Sequence, residues 1–152
     1  FARGEGGEAA EPLPVLPLVE AVAEGAGRAG ATVSVTGGQG LVAPLRPNAL
    51  RRALANLVGN ASAYGTKIQI TVRAADGAVE IVIDDNGPGI APEQRDEAFR
   101  PFNRLDEARN QNEKGVGLGL AIARDVARSH GGDVTLDTSP LGGLRAVVRL
   151  PA

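Results

Sequence analysis

Apolar and polar positions alternate with two different periods along this chain, and the switches between them divide it into elements. From Leu16 to Ala29, the residues Leu18, Val19, Val22, Ala23 and Ala26 recur at helical spacing, Pro17 is tolerated in the first turn and Gly30 can close the helix. Thr32-Val33-Ser34-Val35-Thr36 then alternates with period two, Gly37-Gly38-Gln39-Gly40 turns, and Leu41 to Leu45 reads as a partner strand, which predicts a hairpin. Pro47 to Ala63 predicts a helix, because Leu50, Leu54, Leu57, Val58 and Ala61 form one apolar stripe; Asn48 is the candidate cap. Asn56 and Asn60 project the same way from this helix, one turn apart and about 6 Å along its axis. Lys67 to Ala74 and Ala78 to Asp84 alternate around Asp76-Gly77, a strand pair with a tight turn whose second strand delivers Asp85.

Beyond Asp85 the pattern fades. Asn86 to Lys114 shows little periodicity apart from a short helical turn around Pro92 to Phe99, and a loop of that length points to a functional lid. Val116 to Ser129 is again helical, with Leu118, Leu120, Ile122, Ala123, Val126 and Ala127 inward and Gly131 at its end. Asp133 to Leu136 and Ala146 to Leu150 supply two more strands around a turn at Ser139 to Gly143. The expected fold is α/β: a two-layer sandwich with a mixed sheet, helices on one face and a long lid. Residues 1–14, rich in Gly, Glu, Ala and Pro, read as a linker ahead of one domain at 15–152.

Composition narrows the chemistry. A chain of 152 residues suffices for one core. With only 3% aromatic residues, that core must be aliphatic, and Phe99 and Phe102 become local anchors. A net charge of −2 gives no global drive towards nucleic acid or anionic membrane, so any bound anion needs a local device. The absence of cysteine excludes disulfides and thiolate metal sites and suits a cytoplasmic location. No apolar run approaches the ~20 residues that span a bilayer.

The glycine clusters do not fit the common nucleotide loops. Leu120 stands where a dinucleotide fingerprint needs its third glycine, and neither Lys67 nor Lys114 follows a glycine as a Walker loop requires. The single histidine, His130, lies beside Gly131-Gly132 and reads as a cap on helix-end carbonyls. At Asp84-Asp85-Asn86-Gly87-Pro88-Gly89-Ile90, two readings stand side by side: an Asp holding its own turn, or a buried acceptor for a planar base approached through the glycines. Gly115, Gly117 and Gly119 precede and enter a helix, whose exposed N–H groups can face phosphates.

Four boxes in this order carry a resemblance: Ala53-Leu54-Ala55-Asn56-Leu57-Val58-Gly59-Asn60-Ala61; Asp85-Asn86-Gly87-Pro88-Gly89-Ile90; Phe99-Arg100-Pro101-Phe102; and Gly115-Val116-Gly117-Leu118-Gly119-Leu120. From Leu16 to its end, the chain resembles the ATP-binding catalytic domain of sensor histidine kinases, of Bergerat (GHKL) fold and osmosensor type. The resemblance implies ATP and Mg²⁺ as cofactors. It assigns Asp85 to the adenine amine, Asn60 to the metal and to catalysis, and Asn56, Tyr64, Gly87, Gly89 and Ile90 to the nucleotide. Gly115, Val116, Gly117, Leu118, Gly119 and Leu120 are assigned to the phosphates and base wall. Arg104, Arg109 and Lys114 would reach the terminal phosphates, with Arg104 also catalytic. Ile90, Leu118 and Leu120 are equally explicable as core. Ala63 departs from the family, many of whose members carry a basic residue three positions after the metal Asn, which leaves that phosphate contact to Lys67 or a lid arginine. The implied partners are a helical dimerisation domain bearing the acceptor histidine, with Phe1-Ala2-Arg3 as its last residues, and a response regulator receiver domain. The parent would sit in a bacterial inner membrane, with this domain cytoplasmic. Two other functions stay open: a self-contained GHKL ATP hydrolase, and a degenerate docking module that binds no nucleotide.

Overall fold

The computed structural model describes residues 8–100 and 119–152. Strand β1 (Glu11–Pro14) leads into helix α1 (Val15–Arg28), then β2 (Thr32–Gly37), β3 (Val42–Leu45) and helix α2 (Pro47–Tyr64). Strands β4 (Lys67–Ala75) and β5 (Ala78–Asp85) follow, then a 3₁₀ turn (Pro92–Gln94) and the single-turn helix α3 (Arg95–Ala98). Helix α4 (Gly119–Ser129) and strands β6 (Asp133–Thr138) and β7 (Leu144–Pro151) complete the described chain.

Five strands form one mixed sheet in the order β2-β4-β5-β7-β6, with β2 parallel to β4 and the remaining pairs antiparallel. Period-two patterning decides its two faces. Ile68, Ile70 and Val72, with Val79, Ile81 and Ile83, and Ala146, Val148 and Leu150 turn to one side and meet Leu50, Leu54, Leu57 and Val58 of α2 in a single aliphatic core. The other face sets charged pairs around Val82 and Val147: Glu80 accepts from Arg73 at 2.9 Å and from Arg149 at 3.2 Å, and Asp84 takes Arg145 on both carboxylate oxygens at 2.8 and 3.1 Å. Adjacent residues on β5 therefore serve opposite faces, Asp84 the charged one and Asp85 the helical one. The expected two-layer α/β sandwich is the observed fold.

The turn between β4 and β5 forms as predicted. Asp76 (φ 43°) and Gly77 (φ 76°) both take the left-handed conformation that a two-residue hairpin turn needs.

The hairpin predicted for β2 and β3 does not form. Strand β2 instead runs parallel to β4, pairing Thr32 with Lys67 through to Gly37 with Val72, and β3 pairs antiparallel with β1, Glu11 against Leu45. Gly38 is buried against the Val72 side chain, which takes the chain out of the sheet where a hairpin would fold it back. The stretch expected to be linker thus contributes β1, and it also contributes the cap of α2. Glu8 accepts from the backbone N–H of Asn48 at 3.0 Å and of Ala49 at 3.1 Å, placing a carboxylate on the positive end of the helix. Asn48 does not cap. It lies inside the first turn after Pro47 and accepts from Arg51 at 3.2 Å.

At the far end of α4, Arg124 donates to Asp133 at 2.9 Å while its guanidinium lies 4.2 Å from the Phe99 ring centroid, and Arg128 adds a contact to the same carboxylate at 3.3 Å. The Arg124 hydrogen bond, aided by the Val134 N–H and Arg128 and opposed by partial burial, holds the Asp133 carboxyl below the usual range. A carboxyl depressed by folding stabilises fully above its unfolded value of about 4 and loses that contribution as pH falls through its lower folded value. Asp133→Asn is therefore expected to lower the urea midpoint at pH 7 and to make the drop between pH 7 and pH 3 shallower than in wild type. Parallel profiles would remove this pair from the acid response.

Candidate functional site

The candidate residues Asn56, Asn60, Tyr64 and Asp85 lie on α2 and at the C-terminal end of β5, which pack against each other. The apolar stripe of α2 is fully used by the core, with Leu50, Leu54, Leu57, Val58 and Ala61 at most 2% exposed. Asn56 and Asn60 lie on a neighbouring face, both half-buried. The amide nitrogen Nδ2 of Asn56 is buried with no hydrogen-bond partner among the described residues. Such a donor is costly unless something else accepts from it.

Asp85 ends β5 with 3% exposure. Its Oδ1 accepts from the backbone N–H of Gly87 at 2.9 Å and of Leu144 at 3.1 Å, while its carbonyl accepts from Gly143 N–H at 3.1 Å. Both hydrogen bonds that described residues make to the carboxylate thus fall on one oxygen. The turn-holding reading of this residue is observed at Oδ1, and Oδ2 has no hydrogen-bond partner among the described residues.

The turn between β6 and β7, expected only as a turn, closes against this carboxylate. A Cβ on Gly143 would overlap Asp85 Oδ1 and come within 2.6 Å of both the Asp85 carbonyl oxygen and the Gly87 nitrogen. Gly143 and Leu144 are therefore supporting residues that sequence reasoning missed; the available signal was a doubled glycine where one completes the turn.

The other candidates distribute as follows. Gly87 packs against the Tyr64 backbone at the end of α2, and Gly89 against Gly143. Ile90 and Leu120 are buried at 6% and 3% and belong to the core cluster. Gly119 begins α4 as described. Phe99 packs against the core, as its anchoring role requires. Ala63 and Lys67 are both exposed. Arg104, Arg109, Lys114, Gly115, Val116, Gly117, Leu118 and Phe102 lie outside the described residues. His130 is structural: Nδ1–H donates to the Val126 carbonyl at 2.8 Å and Nε2 accepts from Arg46 N–H at 3.0 Å, tying the end of α4 to the start of α2.

A groove of about 780 Å³ runs between α1 and α2, lined by Gly25, Ala26, Ala55 and Gly59 among others. It contains no carboxylate or amide side chain and none of the candidate residues, so chemistry favours the Asp85 end. Among the described residues no three His, Asp or Glu side chains converge on a metal-sized space. One amide oxygen shared with waters and phosphate oxygens is a donor set suited to Mg²⁺, which dehydrates reluctantly. The unpartnered Asn56 donor and the one-sided Asp85 carboxylate fit a polar ligand seated here.

The family described as histidine kinase-, DNA gyrase B- and HSP90-like ATPase is matched over residues 46–152. The sensor histidine kinase CpxA of Escherichia coli is 49% identical over 106 residues, covering 69% of this chain and 23% of that protein. The chain thus spans about a quarter of the length of such curated relatives. Among solved structures, the ATP binding domain of PrrB from Mycobacterium tuberculosis superposes with a TM-score of 0.79 at 32% identity, over 95% of this chain and 98% of that one. The histidine kinase domain of the E. coli osmosensor EnvZ gives 0.67 at 33% identity, over 95% and 89%.

Proposed function

The chain belongs to the histidine kinase-, DNA gyrase B- and HSP90-like ATPase family, and from that premise we propose that it is the ATP-binding catalytic domain of a two-component sensor histidine kinase. It holds ATP with Mg²⁺ and presents the γ-phosphoryl group to a histidine on a separate helical dimerisation domain, from which a response regulator receiver domain is charged. The observation that carries this reading is Asp85: buried, with Oδ1 occupied by two backbone donors and no partner on Oδ2 among the described residues, which is the oxygen we assign to the exocyclic amine of adenine.

The chain's own residues divide the work. Asp85 selects the base, since a ring carrying a carbonyl at that position would set acceptor against acceptor. Gly87 and Gly89 bring the backbone close to the base, with Ile90, Leu118, Leu120 and Tyr64 bordering it. Asn60 offers the oxygen that holds Mg²⁺, and Asn56 donates to the ligand. Bound there, Mg²⁺ neutralises and orients the phosphates. Gly115, Val116, Gly117 and Gly119 offer backbone N–H groups, and Arg104, Arg109 and Lys114 add charge-assisted contacts to the terminal phosphates. Catalysis is then positioning with electrostatic stabilisation.

Self-contained hydrolysis is disfavoured by Asn56, which stands four residues before Asn60, where hydrolases of this fold carry a water-activating Glu. An amide cannot act as a general base. No helix among the described residues is long and apolar enough to cross a membrane; we place the domain in the cytoplasm, where ATP is found, with any membrane contact made by other parts of a parent protein in the bacterial inner membrane.

Phosphotransfer from radiolabelled ATP tests the proposal. The domain alone should bind ATP·Mg²⁺ with neither self-phosphorylation nor rapid turnover, and adding the parent's separately made dimerisation domain should produce acid-labile phosphohistidine. Fast hydrolysis by the domain alone would establish the hydrolase instead, and no binding would leave a docking module.

A further inference from the structure

We infer that Asn86 is a positioning residue which sets the metal-holding helix against the base-selecting strand. It is the first residue beyond β5, directly after Asp85, and its exposed side chain makes three hydrogen bonds into the connection between α2 and β4. Oδ1 accepts from the N–H groups of Thr66 at 2.8 Å and Lys67 at 3.0 Å, and Nδ2 donates to Thr66 Oγ1 at 3.0 Å. One amide therefore bridges the end of the strand carrying Asp85 and the connection that leaves the helix carrying Asn56 and Asn60.

The junction it spans has no slack. Gly65 N–H closes α2 on the Ala61 carbonyl at 2.8 Å, and a Cβ on Gly65 would lie 2.8 Å from Asn86 Oδ1 and 3.2 Å from the Gly87 nitrogen. A Cβ on Gly87 would come within 2.8 Å of the Tyr64 carbonyl oxygen. The β4–β5 ladder stops at Ile68 opposite Asp85, so beyond it the Asn86 side chain takes over the backbone donors of Lys67 and Thr66.

The two halves of the site are anchored differently. Asp85 is held from the β7 side, through Leu144 and Gly143, and by the Gly87 N–H of its own turn. The helix carrying Asn60 is seated by its apolar stripe in the core, and its last turn is tied to the end of β5 through Thr66 and Lys67, which Asn86 holds. Loss of the Asn86 amide thus leaves the base end held by Leu144 and Gly143 and loosens the last turn of α2, on which Asn60 sits. A residue that only closed a strand end would cost stability without separating the two.

The inference rests on Asn60 as the metal-holding residue, and calorimetry separates the two ideas. Wild type, Asn86→Ala, Asn86→Asp and Asn60→Ala are titrated with adenosine, with ATP in EDTA and with ATP in Mg²⁺, below all four thermal midpoints. In Asn86→Ala adenosine affinity is expected to be unchanged, while the factor by which Mg²⁺ tightens ATP falls roughly 10- to 100-fold, the range typical of lost outer-shell support. Asn86→Asp, which keeps the acceptor for Thr66 and Lys67, restores most of that factor. An unaltered Mg²⁺ factor in Asn86→Ala, or an equal loss for adenosine, overturns the inference. If Mg²⁺ fails to tighten ATP in wild type, or does so unchanged in Asn60→Ala, the metal assignment falls first and the inference with it.

Discussion

Asp85→Asn is expected to weaken ATP binding by about 100-fold or more while leaving the domain folded. The two bonds that described residues make to the carboxylate of this residue both end on Oδ1, from Gly87 and Leu144, and an asparagine oxygen can accept both. Only the second position changes, from an acceptor to an NH₂ donor facing the amine of adenine. A buried donor set against a donor costs about 1–3 kcal/mol and more where a charge is lost, which at 1.4 kcal/mol per decade makes a loss of about two decades. Calorimetry with ATP, beside urea denaturation of the same two proteins, checks both halves. Equal ATP affinity would remove adenine selection from Asp85.

Gly143→Ala is expected to destabilise the domain by about 2–4 kcal/mol and to abolish nucleotide binding with it. Here space is the obstacle. The added Cβ meets Asp85 Oδ1, the Asp85 carbonyl and the Gly87 nitrogen, and none of these is the movable end of a flexible side chain. Relief requires the turn between β6 and β7 to withdraw, which breaks the Gly143 N–H bond to the Asp85 carbonyl and the Leu144 N–H bond to its carboxylate. The urea midpoint and an ATP titration read the two effects. A variant with wild-type stability would show that the turn gives way freely and that it does not brace the carboxylate.

What the sequence made legible was local. Helix α2 announces itself because five apolar residues repeat on one side of Pro47–Tyr64, and the β4–β5 pair because alternation flanks Asp76-Gly77. Asp85 followed, being the residue that strand carries to its end. Pairing at a distance was not legible. Period-two alternation in Thr32 to Thr36 says that a strand exists but not that its partner is Lys67 to Val72, 35 residues on. Strand β1 carries two prolines in four residues, Glu11-Pro12-Leu13-Pro14, so its composition hides a strand that only β3 completes. The cap of α2 was missed for the same reason, since Glu8 lies 40 residues from Asn48 in sequence. At the site, Asn86 and Gly143 each looked like turn residues and are so, but what they touch across the fold gives them a second role.

A crystal structure of the domain grown with Mg²⁺ and a non-hydrolysable ATP analogue tests the central claim most directly. The account predicts the adenine amine about 3 Å from the Asp85 carboxylate, with the Asn60 side-chain oxygen on the metal. A base seated in the groove between α1 and α2, or an Asp85 carboxylate with no contact to the nucleotide, would contradict it.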